Sequence, residues 1–170
     1  MKKILSIVLC LLLQLSLLAA CSSADSSDPY SGLTLYESEA GISLYMAKGF
    51  SKNSAEGVAC AYSKGSTGLA CNVESIEALE SFGYSSLSEA DYAQLIMDAY
   101  GYDAVPQTDE YGLTYVIYEQ EVTGIPYTYV AFFIKGETVF WAANFMCPTT
   151  DLSKNEADFH LWASSITVSN

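Results

Sequence analysis

Apolar and polar residues alternate with a period of two along three consecutive stretches, residues 113–122, 127–135 and 138–147. This period is typical of β-strands, in which successive side chains point to opposite faces of a sheet. Short turn segments at 123–126 and 136–137 separate the stretches, and the second begins with glycine. The pattern therefore predicts a three-stranded antiparallel meander.

The two faces of this meander differ in composition. The core face is apolar throughout and consists of Leu113, Tyr115, Ile117, Val130, Phe132, Ile134, Val139, Trp141, Ala143 and Phe145. The mixed face alternates apolar with polar residues, and its apolar members are Val116, Tyr118, Tyr129, Phe133, Phe140 and Met146. Because the mixed face is half apolar, we expect another layer to cover at least part of it.

Four aromatic residues of the mixed face form a candidate recognition surface: Tyr118, Tyr129, Phe133 and Phe140. Tyrosine combines a large apolar ring with a polar hydroxyl, and it is enriched where proteins recognise partners. A protein or a glycan would be the partner. The alternative is that a layer of helices buries the same four side chains as part of the core.

Shorter elements precede the meander. Residues 33–37 and 42–46 predict two strands, and residues 58–62 and 68–73 flank a glycine-containing loop and predict a hairpin. A short helix is expected over residues 76–82. These elements and the meander together predict an α+β domain spanning residues 33–170.

Two further helices complete the predicted domain. The first begins at Ser86 or Ser88 and ends at Gly101, because serine is a good N-cap and glycine a good C-terminal stop. The second follows the meander, and the spacing of Ser153 and Glu156 predicts a capping box at its start. Its buried stripe would contain Phe159, Trp162 and Ala163.

Residues 1–20 have the organisation of a secretory signal peptide. Lys2 and Lys3 precede an apolar run over residues 4–18, which is shorter than the ~20 residues that a membrane-spanning helix needs. The run ends in Leu-Ala-Ala-Cys, which resembles a bacterial lipobox cleaved between Ala20 and Cys21. Cys21 would then carry the lipid. The alternative is an ordinary secreted protein, cut near Ala20, in which Cys21 is incidental.

The expected mature protein is therefore anchored by lipid on the extracytoplasmic face of the cell membrane. Residues 21–32 would be the lipidated cysteine and a flexible tether, because residues 22–29 contain no large apolar side chain. The chain has 20 acidic residues against seven lysines, two of them in the signal segment, and no arginine, for a net charge of −13. This charge excludes nucleic acid as a partner and excludes electrostatic attachment to anionic lipids.

Beyond the signal segment and Cys21, the chain contains three cysteines. If the predicted hairpin loop centres on Gly65 and Ser66, Cys60 lies directly opposite Cys71, where a cross-strand disulfide can form. Export permits such a bond. The alternative is two small buried thiols side by side. With no Cys-x-x-Cys pair and a single histidine, no zinc site is expected, and no cofactor is predicted.

Candidate catalytic groups are few. Cys147 and His160 could imitate a nucleophile and its base, but no motif places a third orienting group, so we expect a partly buried thiol and a surface histidine. Glu119 and Glu121 lie two residues apart on one strand face, as a glycosidase pair could, but they are better explained as a solvated sheet edge. No catalytic residue is predicted, and we expect that the protein is not an enzyme.

Acidic residues at 98, 103, 109 and 110 border one loop. They could hold calcium, although the spacing of a calcium-binding loop is absent. We therefore predict no metal site.

Two segments resemble PsbP-like domains. Residues 140–148 (Phe-Trp-Ala-Ala-Asn-Phe-Met-Cys-Pro) and 159–166 (Phe-His-Leu-Trp-Ala-Ser-Ser-Ile) are similar to the final strand and helix of that family. Residues 42–50 are similar to its first strand, with Ala47 where the family has proline. The resemblance covers residues 33–169 and implies an antiparallel sheet of about six strands sandwiched by helices. It transfers no functional residue, because the family shares no active site.

These observations favour a non-catalytic binding or accessory module at the cell envelope. The alternatives are a cell-envelope hydrolase and a lipoprotein that binds a small ligand. A concave site with convergent polar groups would favour a protein that binds a small ligand, whereas a sheet face filled by packed side chains would not.

Overall fold

The computed structural model describes residues 28–169. The predicted signal segment, its cleavage site, Cys21 and the tether as far as residue 27 lie outside the described residues, and those expectations stay predictions. A compact unit spans Gly32–Asn170. Within the described part of the chain, no helix has the length and apolar character needed to cross a membrane.

The compact unit contains strands and α-helices in a mixed order. The strands are β1 (Thr34–Glu37), β2 (Ile42–Met46), β3 (Ser51–Asn53), β4 (Cys60–Lys64), β5 (Thr67–Ser75), β6 (Gln107–Thr108), β7 (Thr114–Val122), β8 (Ile125–Lys135), β9 (Val139–Pro148) and β10 (Thr167–Val168). The helices are α1 (Ile76–Ser81), α2 (Glu89–Tyr100) and α3 (Leu152–Ala163), and a 3-10 turn at Thr149–Asp151 precedes α3.

The strands form two antiparallel sheets. The large sheet has seven strands in the order β3-β4-β5-β9-β8-β7-β6, and the small sheet has three in the order β1-β2-β10. The α+β class and the antiparallel arrangement are confirmed. The described residues form ten strands, against the expected number of about six. Two of the additional strands, β3 and β6, have only three and two residues and lie in polar segments, where alternation gives no signal.

The predicted meander is β7-β8-β9, and its register places the core face as expected. Val130 on β8 pairs with Ile117 on β7 and with Phe145 on β9. All ten residues of the core face belong to one cluster with β2 and α3, in which Trp141 is 1% exposed. Phe159 of α3 stacks on Phe145 of β9 with ring centroids 5.2 Å apart, so α3 closes this side of the large sheet.

The mixed face carries α2. Tyr92, Ala93 and Met97 of this helix form a second buried cluster with Val116 and Phe133, among other residues. The helix begins at Ser88, whose hydroxyl accepts from the Asp91 amide while the Asp91 carboxylate accepts from the Ser88 amide. It ends at Gly101 in the left-handed conformation, with φ of 73°, as the sequence predicts.

Two local expectations need correction. The turn between β7 and β8 consists of Thr123 and Gly124, both with positive φ, so β8 already begins at Ile125.

The prediction of a capping box at the start of α3 is wrong. The 3-10 turn leads into the helix at Leu152, with Asp151 as an N-cap whose side chain accepts no hydrogen bond from the amides of the first turn. Ser153 therefore lies inside the first turn and cannot act as the N-cap.

Candidate functional site

The mixed face divides into a covered half and an open half. Phe133 and Phe140 are 2% and 1% exposed. The ring of Tyr92 stacks on Phe140 at 4.5 Å between centroids and meets Phe133 edge-on at 5.8 Å. Phe133 and Phe140 therefore belong to the core beneath α2, where no partner could contact them, and they are removed from the predicted recognition surface.

Tyr118 and Tyr129 lie beyond the helix and remain half-buried. They are opposed in the β7–β8 register, and their rings stack with centroids 4.9 Å apart and planes 7° apart. Tyr102, just after the end of α2, lies 4.4 Å from Tyr118. Tyr100 is 6.5 Å from Tyr102 and is 73% exposed. The four rings form a continuous row.

This row lines a cleft of about 470 Å³ between α2, the loop after it and strands β5, β9, β8 and β7. We refer to it as the tyrosine cleft. Its aromatic lining residues are Tyr92, Tyr100, Tyr102, Tyr118 and Tyr129. Its polar and charged lining residues are Asn72, Glu74, Gln120 and Asn144. The volume lies in the range of about 300–1,000 Å³ that is typical of small-molecule sites.

Asn144 fixes the floor of the tyrosine cleft. Its side-chain oxygen accepts a hydrogen bond of 3.3 Å from the Tyr118 hydroxyl. Its amide nitrogen donates to the Ala70 carbonyl at 3.2 Å and to the Asn72 side chain at 3.3 Å. Asn72 in turn donates to the Gly57 carbonyl. These bonds hold one edge of the aromatic row in a single orientation, as a preformed site requires.

Burial favours the protonated form of three hydroxyls in the tyrosine cleft, those of Tyr92, Tyr118 and Tyr129. Burial raises the pKa of Tyr92 to about 12, and the negative charge of Glu74 adds to the effect. Burial also raises the pKa of Tyr118 and of Tyr129, with neighbouring tyrosines contributing in each case. Each phenol can therefore donate one hydrogen bond and accept others.

His160 is not the surface residue that we expected. Its Nδ1 atom lies 2.7 Å from Oδ2 of Asp109, and the two side chains are 15% and 5% exposed. The rings of Tyr115 and Phe132 meet the imidazole edge-on at 4.7 and 5.0 Å. Asp109 also accepts hydrogen bonds from the amides of Tyr111 and Leu113. Asp109 is therefore a structural acceptor, and His160 ties α3 to the turn before β7.

Cys147 does not have the environment of a nucleophile. It is fully buried, and burial together with the negative charge of Asp151 raises the pKa of its thiol. An activated cysteine needs the opposite shift. Glu119 and Glu121 are both exposed on β7, as expected for a sheet edge. Residues 28–169 contain no group of three or more His, Cys, Asp or Glu side chains that could hold a metal ion.

Cys60 and Cys71 are directly opposed in the β4–β5 register, as the sequence predicts. Both are buried and both are free thiols in the structure. A hydrogen bond between them, with smaller contributions from Ser38 and Lys52, lowers the pKa of Cys60 to about 7 against the effect of burial. The same bond and burial raise the pKa of Cys71. The register is confirmed, and the disulfide stays a prediction.

Sequence reasoning found Tyr118 and Tyr129 but missed the rest of the tyrosine cleft. Tyr100 and Tyr102 flank Gly101, which ends α2. The predicted end of this helix was therefore the one sequence signal that could have indicated their position near the mixed face. Asn144 and Asn72 are separated by 72 residues and meet only through the pairing of β5 with β9. No local pattern could have joined them.

Comparison with known proteins gives fold similarity only. No protein-family model matches the chain, and no curated protein sequence matches it. The solution structure of cyanobacterial PsbP (CyanoP) from Synechocystis sp. PCC 6803 is 12% identical, with 88% of this chain and 98% of that chain covered and a TM-score of 0.48.

A crystal structure from Bacteroides thetaiotaomicron VPI-5482 is 10% identical, with a TM-score of 0.56. The match covers 82% of this chain and 49% of that chain, so this chain spans about half of its length. At this identity the similarity is one of fold and carries no activity.

Proposed function

We propose that this protein is a lipid-anchored, extracytoplasmic binding protein whose tyrosine cleft holds a ligand of the cell envelope. The observation that carries the proposal is the cleft itself, a concave site with an aromatic lining and convergent polar groups. A sheet face filled completely by helices would have left no such site.

The anchor is the second part of the proposal. It rests on Lys2, Lys3, the apolar run over residues 4–18 and the Leu-Ala-Ala-Cys sequence that ends at Cys21. Membership of the PsbP-like domains belongs to the same proposal and rests on the resemblance of residues 140–148 and 159–166 to that family.

Metabolic labelling with a fatty acid, followed by membrane fractionation, tests the anchor. Wild-type protein should carry the label and sediment with membranes, whereas Cys21→Ala should lose the label and either remain unprocessed or appear in the soluble fraction. Cys147→Ala is the matched control, because its cysteine lies in the folded core. Label that persists in the Cys21→Ala protein would refute lipidation at this site.

Thermal unfolding of protein purified from its own membranes tests the binding function. A bound ligand stabilises the native state in proportion to RT ln(1 + [L]/Kd), so removing small molecules by unfolding, dialysis and refolding should lower the Tm. Adding back a small-molecule extract of the envelope should restore it. A Tyr100→Ala, Gln120→Ala double variant should not respond, because both side chains line the cleft and are exposed.

Tyr84→Ala serves as the control, since Tyr84 is an exposed tyrosine outside the cleft. The cleft is not a ligand site if the extract leaves the Tm of wild type and of Tyr84→Ala unchanged. The same conclusion follows if the extract raises the Tm of the double variant as much as it raises that of wild type.

A further inference from the structure

We propose that the tyrosine cleft binds an uncharged saccharide; this inference rests on the proposed binding function and names its ligand class. Three observations narrow the class of ligand: the charge of the cleft, the arrangement of its tyrosine rings and the position of the Tyr92 hydroxyl.

The charges of the tyrosine cleft exclude anions. Glu74 is its only charged lining residue, and none of the lysines in residues 28–169 lines it. A phosphate or carboxylate group in this site would lose its hydration without an opposite charge to offset the loss. The ligand is therefore neutral or cationic.

The arrangement of the rings disfavours an organic cation. Recognition of a quaternary ammonium group requires open ring faces within about 6 Å of the charge. Tyr118 lies between Tyr102 at 4.4 Å and Tyr129 at 4.9 Å, so its faces are occupied by its neighbours. Of the four rings in the row only that of Tyr100 is largely exposed, so they form no cage of several open faces around a cation. The phenol hydroxyls are donors and acceptors for the hydroxyl groups of a neutral ligand.

Tyr92 places an unused polar atom at the cleft. The residue is 2% exposed, and its ring is fixed by Phe140 and Phe133. Within residues 28–169, no hydrogen bond joins the Tyr92 hydroxyl to another residue. If this hydroxyl were fully buried, it would be a buried polar atom without a partner, but the only such side-chain atom in these residues is Nε1 of Trp141. The small exposed area of Tyr92 therefore includes its hydroxyl, at the wall of the cleft. A hydroxyl at the wall of the cleft can donate to and accept from a ligand that enters it.

The rim supplies the apolar contact that a sugar ring also needs. Tyr100 and Val73 line the cleft and are 73% and 43% exposed. An aromatic ring with an open face can pack against the C–H face of a pyranose while the hydroxyls deeper in the cleft bind its oxygens. A volume of about 470 Å³ accommodates a short saccharide.

Isothermal titration calorimetry of the refolded, ligand-free protein tests this assignment. The probes are three uncharged saccharides (chitotriose, maltotriose and cellotriose), two cations (choline and spermidine) and one anionic sugar (galacturonic acid). We expect saturable binding of at least one uncharged saccharide and no binding of the anion. Tyr92→Phe removes one hydroxyl while keeping the ring stack, so it should weaken binding about threefold to tenfold.

Tyr84→Ala should bind like wild type, and Gln120→Ala provides a second cleft variant in case Tyr92→Phe does not fold. Saccharide binding that is equal in wild type and in both cleft variants would overturn the proposal, since the sugar would then bind elsewhere. Binding of choline or spermidine without any saccharide would also overturn it.

The failure of this inference is distinguishable from the failure of the binding function. If no uncharged saccharide binds while the envelope extract still raises the Tm of wild type, the saccharide assignment is wrong and the cleft remains a binding site. If the extract has no effect either, both proposals fail.

Discussion

Nδ1 of His160 lies 2.7 Å from Oδ2 of Asp109, in a contact where both side chains are largely removed from solvent. The two residues are 51 positions apart in the chain. His160 projects from α3, and Asp109 lies in the turn that leads from β6 into β7. The pair therefore fastens an edge of the large sheet to the helix that covers its core face.

Replacing Asp109 should destabilise the domain. Asp109→Ala removes the acceptor for His160 and for the amides of Tyr111 and Leu113. Leaving the partly buried donors of His160 and Leu113 unpaired costs about 1–3 kcal/mol. Urea denaturation measures the loss. Glu110→Ala is the matched control, because Glu110 is the exposed neighbour. Equal stability of the two variants would mean that the pair contributes nothing to folding.

The two tryptophans of the core should be indispensable. Trp141 and Trp162 are 1% and 4% exposed in one apolar cluster, so truncating either to alanine should cost about 3–5 kcal/mol. Phe82→Ala, at a site that is 78% exposed, should stay within about 0.5 kcal/mol of wild type. Losses below about 1 kcal/mol at both tryptophans would be incompatible with this cluster as the core.

The opposed thiols should form a disulfide under oxidising conditions. Peptide mass spectrometry of the unreduced mature protein should find Cys60 linked to Cys71 and should find Cys147 free, because only the first two face each other across a strand pair. The short loop limits the stabilisation to about 3 kcal/mol in the chain-entropy model. Recovery of both cysteines in alkylated form, without reductant, would exclude the bond and leave the hairpin intact.

The cap of α2 should make the stability of this helix depend on pH. Hydrogen bonds from Ser88 lower the pKa of the Asp91 carboxyl. Because the folded-state pKa is below the unfolded-state value, the contribution is present above the unfolded-state pKa and is lost as the pH falls through the folded-state pKa. The difference in denaturation midpoint between wild type and Ser88→Ala should therefore shrink in acid. A difference that is constant with pH would show that the Asp91 charge plays no part.

The core face was predictable residue by residue because a period of two on a strand determines which side chains share a face. All of its predicted members belong to one cluster in the structure. His160 could not be predicted, since its partner Asp109 is brought to it by the pairing of β6 with β7, and a two-residue strand leaves no trace in the hydropathy pattern.

The mixed face shows why the sequence predicts a covering layer without showing how far that layer extends. The 12 residues of α2 span about 18 Å. The 11 residues of β8 extend about 37 Å. A helix of that length covers Phe133 and Phe140 and leaves Tyr118 and Tyr129 beyond its end. Sequence shows that the face is half apolar, but where the helix lies on the sheet depends on tertiary packing.

Native mass spectrometry of the protein, extracted in mild detergent from its own membranes, tests most directly whether the tyrosine cleft is a binding site. We expect a non-covalent adduct on wild type and on Tyr84→Ala, and none on the folded Tyr100→Ala, Gln120→Ala double variant. An adduct of equal abundance on all three proteins, or on none of them, would contradict the account.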